Sequence, residues 1–385
     1  MKVLYIVPGL SPEWGGTTTV IEGLTKALVR RDVEVTIFAP NEQVQKDEII
    51  QPEGVEVRLF RKNILSKIWA GYSINLARTL NTELDCFDLI HIHGSWNYPC
   101  YAAYNAAKKV GKPYIITIHG TLEPWALNYK GLKKKIYSAL IQKRILREAA
   151  ALQAITEEEA KHIRAFGVDG HIAVIPNGID LKAFRDIPSY KVSEKRYPQL
   201  KGKKVILYLG RIHPIKGLDI LAKAFGKVAR RVENIHLLIV GPDSGGYKRQ
   251  VEKMLESEKI LKKTTFTGML IGQTKLAALR RADICVIPSY SEVRSIVALE
   301  AMICKIPVVI THQCHFPEVA KAKAGIIIDP DVEQLTIALL NLLKDAHLRK
   351  EMGANGRRLV IERFSWDKIA EQMIQLYEDI LNNKE

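Results

Sequence analysis

Two glutamates, Glu292 and Glu300, stand eight positions apart, between the apolar runs ADICVIPS and PVVIT. The small and apolar residues Ser295, Ile296 and Val297 between them predict that a helix begins near Ser295, with its first N–H groups free to bind a ligand. That end of a helix favours an anion, while ionised carboxylates accept hydrogen bonds from the hydroxyls of a sugar. The spacing therefore predicts a site for a phosphate that is bonded to a sugar.

Two cations precede this pair in the sequence, in the segment GRIHPIKGLDIL. Arg211 directly follows the apolar run VILYLG, and Lys216 comes just before a predicted helix. Gly210 and Gly217 allow the backbone to turn at the two ends of this loop. Two cations held at one strand end are expected to clamp a diphosphate.

A second group of candidate residues lies in the first half of the chain. Gly15 and Gly16 fall between the first predicted strand and a helix, where backbone without side chains can approach a ligand closely. The sequence contains neither G-x-G-x-x-G nor a Walker lysine motif. His119 ends the run PYIITIHG, so its imidazole is expected at the edge of a sheet, where it could contact a sugar or stabilise developing charge.

Three short segments have the residue types of metal ligands: His91 with His93, residues 312–315, and residues 329–331. His91 and His93 fall on one face of a strand, and no third metal ligand is identifiable in the sequence. The second group lies within a single short loop. The aspartates of the third segment precede a helix, where capping explains them better. We therefore expect no metal ion, and the five unpaired cysteines are expected to be reduced.

Short apolar runs alternate with helical patterns along the 385 residues, a length sufficient for two domains. This alternation implies α/β domains, each with a parallel sheet and helices on both faces. A polar segment near residues 180–203 separates two series of runs, so we expect two doubly wound, Rossmann-like domains facing each other across a cleft, at 1–182 and 200–365. The runs are KVLYIVP, EVTIFAP, VEVRLF, DLIHIHG, PYIITIHG, ALQAIT, HIAVIPNG, VILYLGR, HLLIVGP, TTFTG, ADICVIPS, PVVITH and GIIIDP.

The net charge of +15 favours polyanionic partners: nucleic acid, an anionic lipid surface or phosphorylated substrates. No recognised nucleic-acid-binding module is present, so nucleic acid is not expected as a partner. Residues 61–80 and 130–148 combine basic residues with apolar or aromatic ones and are predicted to form basic amphipathic helices. Either these helices contact an anionic membrane surface, or they pack on a sheet with their lysines in water.

The N-terminal run MKVLYIVPGL is stopped by a proline and predicts a first strand, not a secretion signal. No apolar run approaches the roughly 20 residues that are needed to cross a bilayer. We therefore expect a cytoplasmic protein that is either soluble or peripheral at the inner face of the cytoplasmic membrane.

Taken together, these motifs resemble those of the family-4 retaining glycosyltransferases, which have the glycosyltransferase-B fold. The resemblance covers nearly the whole chain. The arginine, the lysine and the glutamate pair are its specific elements. The supporting elements, in order, are the double glycine at 15 and 16, HGSW at 93–96, IHGTLEPWAL at 118–127, IPNGID at 175–180, VGPD at 240–243, FPEV at 316–319 and FSWD at 364–367.

The resemblance implies a role for each candidate residue. Glu300 would bind the ribose of a nucleotide, and Glu292 a hydroxyl of the donor sugar. Arg211 and Lys216 would bind the diphosphate, and His119 would contact the sugar near the reacting carbon. The remaining donor contacts would come from the backbone of Gly15, Gly16, Gly241, Ser295, Ile296 and Val297.

The resemblance also implies the reaction: metal-independent, retaining transfer of a hexose from a nucleotide-diphosphate sugar, with no further cofactor. Residues 1–182 would form the acceptor side, 200–365 would bind the donor, and a C-terminal helix at 366–385 would pack back onto the first domain. The phrase HGTLEPWAL looks like the branch that builds capsular or O-antigen polysaccharide, where acceptors are often sugars on a polyprenyl diphosphate. A nucleotide-sugar epimerase, a sugar phosphorylase or a basic nucleic-acid-binding protein are the alternatives.

In one position the sequence departs from the family pattern. The family usually has Gly-Phe-Gly or Gly-Phe-Ser after the first glutamate, whereas this chain has Val293, Arg294 and Ser295. A β-branched valine does not readily take the positive φ that glycine allows. Of two possibilities, another path of the loop or a direct phosphate contact from Arg294, we adopt the second as the hypothesis.

Overall fold

A computed structural model describes residues 1–11, 16–41, 49–128, 137 and 141–382 of the chain. These residues form two compact units. The first unit comprises Met1–Gly178 together with Trp366–Glu385, and the second comprises Ile179–Ser365. The polar segment that was expected to lie between domains, 180–203, belongs to the second unit and contains the short helix Lys191–Arg196.

The first unit is built on a seven-stranded parallel sheet with the strand order β3-β2-β1-β4-β5-β6-β7. Its central strands are buried on both faces, which explains why they read as continuous apolar runs. The strands are β1 (Lys2–Ile6), β2 (Glu34–Asn41), β3 (Glu56–Arg61), β4 (Leu89–His93), β5 (Tyr114–Thr117), β6 (Ala151–Ala154) and β7 (Ile172–Val174). The helices are α1 (Gly16–Val29), α2 (Ile74–Glu83), α3 (Tyr98–Val110), α4 (Pro124–Asn128), α5 (Lys143–Arg147) and α6 (Glu157–Ala165).

The C-terminal helix Trp366–Asn382 completes this unit by packing against α1. The indole of Trp366 is 4% exposed and occupies space that only glycine leaves free, because a Cβ added at Gly23 would lie 1.9 Å from its Nε1 atom. At the surface, Asp367 accepts hydrogen bonds from Arg30 and Arg31 at 2.9 and 3.1 Å. The helix is therefore held by buried packing and by an exposed ion-pair network.

The second unit repeats the architecture with a six-stranded parallel sheet in the order β10-β9-β8-β11-β12-β13. The strands are β8 (Lys204–Leu209), β9 (Ile235–Val240), β10 (Thr264–Gly268), β11 (Ile284–Ile287), β12 (Val308–Thr311) and β13 (Gly325–Ile328). The helices are α7 (Lys191–Arg196), α8 (Leu218–Ala229), α9 (Lys248–Ser257), α10 (Gly272–Arg281), α11 (Ile296–Ile303), α12 (Glu318–Lys321), α13 (Val332–Lys344) and α14 (Ala346–Arg363).

Strand β8 shows how this sheet divides the core into two layers. Val205 and Leu207 pack in one apolar cluster, and Ile206 and Tyr208 pack in the other. Successive side chains of a strand point to opposite faces, so helices must cover both sides of the sheet. The prediction of two doubly wound, Rossmann-like domains is confirmed, and all thirteen predicted strands are present.

The prediction of one amphipathic helix over residues 61–80 is wrong. The segment forms the end of β3, a 3-10 turn at Ile64–Lys67 and then the start of α2 at Ile74. The helix is interrupted because Gly71 takes a left-handed φ of 78°, after which Ser73 caps α2 by accepting a hydrogen bond from the Leu76 N–H. The predicted helix at 130–148 lies largely outside the described residues. Within its described part, Lys143–Arg147 form α5.

Candidate functional site

The predicted donor residues of the second unit lie where its strand order reverses. β8 and β11 are neighbours at the centre of this parallel sheet. The strand order continues outward through β9 and β10 on the side of β8, and through β12 and β13 on the side of β11. In doubly wound sheets ligands bind at this point, outside the carboxyl ends of the strands. Arg211 and Lys216 follow β8, and Glu292 follows β11, so the topology brings these three residues to one edge.

The loop after β8 is held against the loop after β11 by close backbone contact. Gly217 has a φ of 69°, and a Cβ at this position would lie 1.9 Å from the carbonyl oxygen of Pro288. The N–H of Tyr290 donates a hydrogen bond to the Ile215 carbonyl at 2.8 Å. Glycine is therefore required at the point where the two loops meet.

Lys216 and Glu292 form a direct ion pair across these loops. Their side chains are 17% and 22% exposed. The backbone of Glu292 is fixed as well, since its N–H donates to the Gln313 carbonyl at 3.1 Å. Arg211 is exposed and makes no ion pair with any residue that the structure describes. Within the described residues, this edge thus presents Lys216 as a paired cation, Arg211 as a cation without an ion-pair partner and Glu292 as a carboxylate.

Gly241, at the end of β9, lies directly beside the Arg211 backbone. Its φ is 146°, and an added Cβ would lie 1.9 Å from the carbonyl oxygen of Gly210 and 3.5 Å from the Arg211 nitrogen. The N–H of Gly241 donates to the Gly268 carbonyl at 2.9 Å. Any side chain at this position would push the loop that carries Arg211 out of place.

Helix α11 begins as predicted, with Ser295 at its N-cap position and Ile296 as its first residue. The Ser295 side chain makes no capping hydrogen bond, so it does not satisfy the first N–H groups of this helix, those of Ile296 and Val297. Glu300, one turn further, is 7% exposed and accepts a hydrogen bond from Lys275 Nζ at 2.7 Å. Lys275 could not be predicted as part of this site, because it comes from α10 and has no motif around it.

Arg294 is 8% exposed, and its guanidinium lies over two aromatic rings. Its Cζ atom is 4.6 Å from the ring centroid of Phe316 and 5.2 Å from that of Phe364. Burial lowers its pKa, although Glu318 lies 3.5 Å from Nη2. Val293 keeps a negative φ, so the loop follows a path that a β-branched residue can adopt. The hypothesis of a phosphate contact from Arg294 stays a prediction.

In the first unit, His119 lies just after β5 and takes a left-handed φ of 51°, which is uncommon for a residue other than glycine. The turn is secured by Glu159, which is 1% exposed. Glu159 accepts hydrogen bonds from the N–H groups of Gly120 and Ile155, both at 2.6 Å, and burial raises its pKa to about 7. Gly16 is the exposed first residue of α1, and Gly15 lies outside the described residues.

Among the described residues, no group of three or more histidine, cysteine, aspartate or glutamate side chains is arranged to hold a metal ion. Asp331 caps α13 by accepting a hydrogen bond from the Gln334 N–H at 2.8 Å, which confirms the capping interpretation. No helix in the described part of the chain is both long and apolar enough to span a membrane.

The sequence matches two family models, "Glycosyltransferase Family 4" over residues 14–183 and "Glycosyl transferases group 1" over residues 191–359. An uncharacterised glycosyltransferase of Methanocaldococcus jannaschii is 27% identical over 377 residues, covering 94% of each chain. A D-inositol 3-phosphate glycosyltransferase of Paenarthrobacter aurescens is 26% identical over 388 residues, covering 96% of this chain and 94% of the relative.

The crystal structure of Anabaena HepE in complex with UDP-glucose has the same fold, with a TM-score of 0.80 at 18% sequence identity, covering 98% of this chain and 100% of that one. The two matched ranges contain every strand of both sheets except β1, together with the loops that carry Arg211, Lys216 and the glutamate pair. The chain therefore belongs to the family-4 glycosyltransferases and has the glycosyltransferase-B fold.

Proposed function

We propose that this glycosyltransferase moves a hexose from a nucleotide-diphosphate sugar to a hydroxyl group of a glycan acceptor, with retention of configuration and without a metal ion. The observation that supports this most is the ion pair of Lys216 and Glu292 at the reversal of the second sheet, with Arg211, which has no ion-pair partner in the described part of the chain, in the same loop as Lys216. Two cations at this edge suit a diphosphate, and the carboxylate suits a sugar hydroxyl.

The proposed donor contacts follow from what each group offers chemically. Arg211 and Lys216 bind the diphosphate oxygens, and the uncapped N–H groups at the start of α11 add hydrogen bonds to the same charge. Glu292 orients Lys216 and accepts a hydrogen bond from the donor sugar. Glu300, oriented by Lys275, accepts hydrogen bonds from the ribose hydroxyls. In the first unit, His119 contacts the sugar near the reacting carbon.

In the proposed reaction the bond between the anomeric carbon and the diphosphate oxygen breaks, and the bonding electrons leave with the diphosphate. The acceptor oxygen bonds to the same face of the anomeric carbon, and its proton passes to the departing phosphate oxygen. Arg211, Lys216 and the amides of α11 stabilise the negative charge that grows on this phosphate. The chain's own cations thereby carry out the charge stabilisation.

The critical experiment is the substitution Lys216→Ala. Loss of one well-placed charge-stabilising donor typically lowers kcat by about 10²-fold or more. The donor is first identified by a thermal-shift screen of uridine- and guanosine-diphosphate sugars, since a ligand that binds only the folded chain stabilises it. The exposed Lys201, after Pro198–Leu200, provides the control Lys201→Ala, which should keep its full rate. A fully active, folded Lys216→Ala variant would refute the assignment.

The activity assay with the identified donor also separates the alternative activities. An epimerase would convert the nucleotide sugar with no acceptor present, and a phosphorylase would need inorganic phosphate as the second substrate. A transferase needs an acceptor hydroxyl and releases the nucleoside diphosphate in equal amount. Quantifying nucleoside diphosphate and sugar product with and without acceptor therefore tests the reaction type directly.

We further propose that the acceptor is a lipid-linked glycan of a polysaccharide, capsular or O-antigen pathway, and that the protein is peripheral to an anionic membrane. A surface of the first unit supports this proposal. The turn after β3 exposes Ile64 by 82%, Leu65 by 46% and Ile68 by 87%, with Lys67 also exposed. The segment 61–80 contains four basic residues, Arg61, Lys62, Lys67 and Arg78, and no acidic one. Apolar side chains surrounded by cations match an anionic lipid interface.

Vesicle co-sedimentation tests this surface. The double substitution Ile64→Ser with Ile68→Ser should lower binding to vesicles containing phosphatidylglycerol by more than tenfold, because two isoleucine side chains no longer enter the lipid. The control is Ile337→Ser, which alters an isoleucine that is 57% exposed on the second unit. Equal binding of wild type and double variant would contradict the proposed membrane contact.

A further inference from the structure

Three imidazole rings lie in a row at the carboxyl ends of β4 and β5 in the first unit. The rings of His91 and His93 have centroids 4.3 Å apart, and those of His93 and His119 are 5.2 Å apart. The ring of Tyr5 lies against both buried histidines, with centroid distances of 4.8 Å to His91 and 4.9 Å to His93. His91 and His93 are at most 1% exposed, whereas His119 keeps part of its surface open. The proposed chemistry uses His119 and gives no role to the two buried rings.

All three rings are neutral at physiological pH. Burial lowers the pKa of His91 to about 3, that of His119 to about 4, and that of His93 well below its usual value. A neutral imidazole has one N–H and one unprotonated nitrogen. Every hydrogen bond of these rings therefore has a direction that can be assigned from its surroundings.

The tautomer of His91 follows from its neighbours. Gln153 donates from Nε2 to the Ile175 carbonyl at 2.9 Å, so its Oε1 accepts the Thr117 hydroxyl proton at 2.5 Å. Thr117 must then accept from His91 Nε2–H at 2.7 Å, which leaves His91 Nδ1 as acceptor for the Tyr377 hydroxyl at 2.7 Å. Both nitrogens of His91 are thereby used, and this ring has no hydrogen bond to offer His93.

The remaining pair joins His93 Nδ1 to His119 Nε2 at 2.9 Å. One of these nitrogens carries the proton and the other accepts it. The other nitrogen of His93, Nε2, is fully buried and has no hydrogen-bond partner among the described residues. Buried N–H groups without an acceptor are rarer than unpaired acceptors, so the proton belongs on Nδ1.

From this geometry we infer that His93 is a positioning residue that fixes the tautomer of His119. His93 donates its Nδ1–H to His119 Nε2, so the single proton of His119 is on Nδ1. His119 then acts as a hydrogen-bond donor, and the ligand atom it contacts must be an acceptor, such as a sugar hydroxyl oxygen. The Glu159 contact to Gly120 holds the turn in which His119 lies. This inference rests on the proposed role of His119 at the donor sugar.

Nitrogen-15 NMR of the histidine side chains tests the inference without any substrate. The ring signals of His119 are identified by their loss in a His119→Gln variant. We expect His119 to show a protonated Nδ1 and an unprotonated Nε2 at pH 7, and His93 to show a protonated Nδ1. Protonated Nε2 on His119 in the wild-type protein would overturn the inference.

Two nearly isosteric substitutions separate the hydrogen bond from packing. His93→Asn places an amide N–H near the position of Nδ1, whereas His93→Leu has none. In the leucine variant the Nδ1–H form of His119 should lose its dominance, and kcat/KM for the donor should fall about tenfold, as expected for one lost hydrogen bond. The asparagine variant should retain both the Nδ1–H form of His119 and the wild-type kcat/KM for the donor. A leucine variant with unchanged tautomer or unchanged kcat/KM would refute the positioning role.

Failure of this inference can be distinguished from failure of the proposed function. If the NMR assignment holds and no nucleotide sugar reacts, the proposed function is wrong and the tautomer is still fixed by His93. If transfer occurs while His119 is protonated on Nε2, the proposed function stands and the inference is wrong.

Discussion

Replacing Arg294 by methionine should stabilise the second unit. Arg294 is 8% exposed, and its hydrogen bond to Glu318 Oε1 is long at 3.5 Å. Its Nε and Nη1 atoms, and Oε2 of Glu318, have no hydrogen-bond partner among the described residues. Burying polar atoms in this way costs about 1–3 kcal/mol for each unpaired group.

The gains from this arginine are smaller. Each of its two ring contacts contributes roughly 0.5–2 kcal/mol, and an ion pair at 3.5 Å contributes at most about 1 kcal/mol. Methionine is unbranched, has a similar reach and fills the space between the rings of Phe316 and Phe364 without polar atoms. Exchange of a complete buried ion pair for apolar side chains is often neutral or stabilises by about 1–4 kcal/mol, and here the carboxylate that remains, Glu318, keeps 19% of its side chain exposed to water. We expect the lower half of this range, because Glu318 remains.

Thermal unfolding of the full chain measures the effect, and about 1–2 kcal/mol in a unit of this size raises Tm by roughly 2–8 °C. The variant Arg294→Ala is the control, since it leaves a cavity between the rings and should lose about 2–4 kcal/mol. If methionine lowers Tm as much as alanine does, the guanidinium is stabilising and the reasoning is wrong. The donor KM of the methionine variant tests the phosphate contact separately: a rise supports that contact, and an unchanged value contradicts it.

Two further substitutions have clear expectations. Gly241→Ala places a Cβ 1.9 Å from the Gly210 oxygen, so the purified variant should lose donor binding in a thermal-shift assay and should unfold at a lower temperature. The control is Gly245→Ala, because Gly245 has a φ of 70° and a Cβ added there has no atom within 4 Å. This control should lower the free energy of unfolding by only about 1–2 kcal/mol. Glu159 has a folded pKa of about 7, above its ordinary 4.5, so its contribution to stability is complete below pH 4.5 and is lost as the pH rises through 7. Between pH 4.5 and pH 8 the difference in the free energy of unfolding between Glu159→Gln and wild type should therefore shift in favour of the variant by up to about 3 kcal/mol, and an equal difference at both pH values would contradict this.

The strands and the donor loops could be predicted because their signals are local. Each strand of a doubly wound sheet is buried on both faces, so it reads as an apolar run whatever its neighbours are. Arg211, Lys216 and Glu292 could be predicted to meet because parallel strands place their carboxyl ends on one edge. The ion pair of Lys216 with Glu292 follows from that placement.

The elements that could not be predicted depend on partners distant in the sequence. Glu159 follows Thr156 in the pattern of a capping box, which predicts a local role, yet its carboxylate also holds Gly120, 39 positions earlier. Lys275 reaches Glu300 from a neighbouring helix, and nothing in its own segment marks it as part of the site. The break in the predicted helix at 61–80 had a signal, since Gly71 followed by the capping residue Ser73 indicates a new helix start.

The departure from the family pattern at 293–295 has a physical explanation in the position of Arg294. The family pattern has a phenylalanine at the position of Arg294. In this structure the rings of Phe316 and Phe364 both contact the Arg294 side chain, and such rings suit an aromatic side chain. A guanidinium is also flat and stacks on such rings, which the compact ammonium group of a lysine does not do as well. Arginine can therefore occupy a pocket built for a ring while Val293 keeps a negative φ, and the loop still delivers Glu292 to Lys216 on one side and Ser295 to the start of α11 on the other.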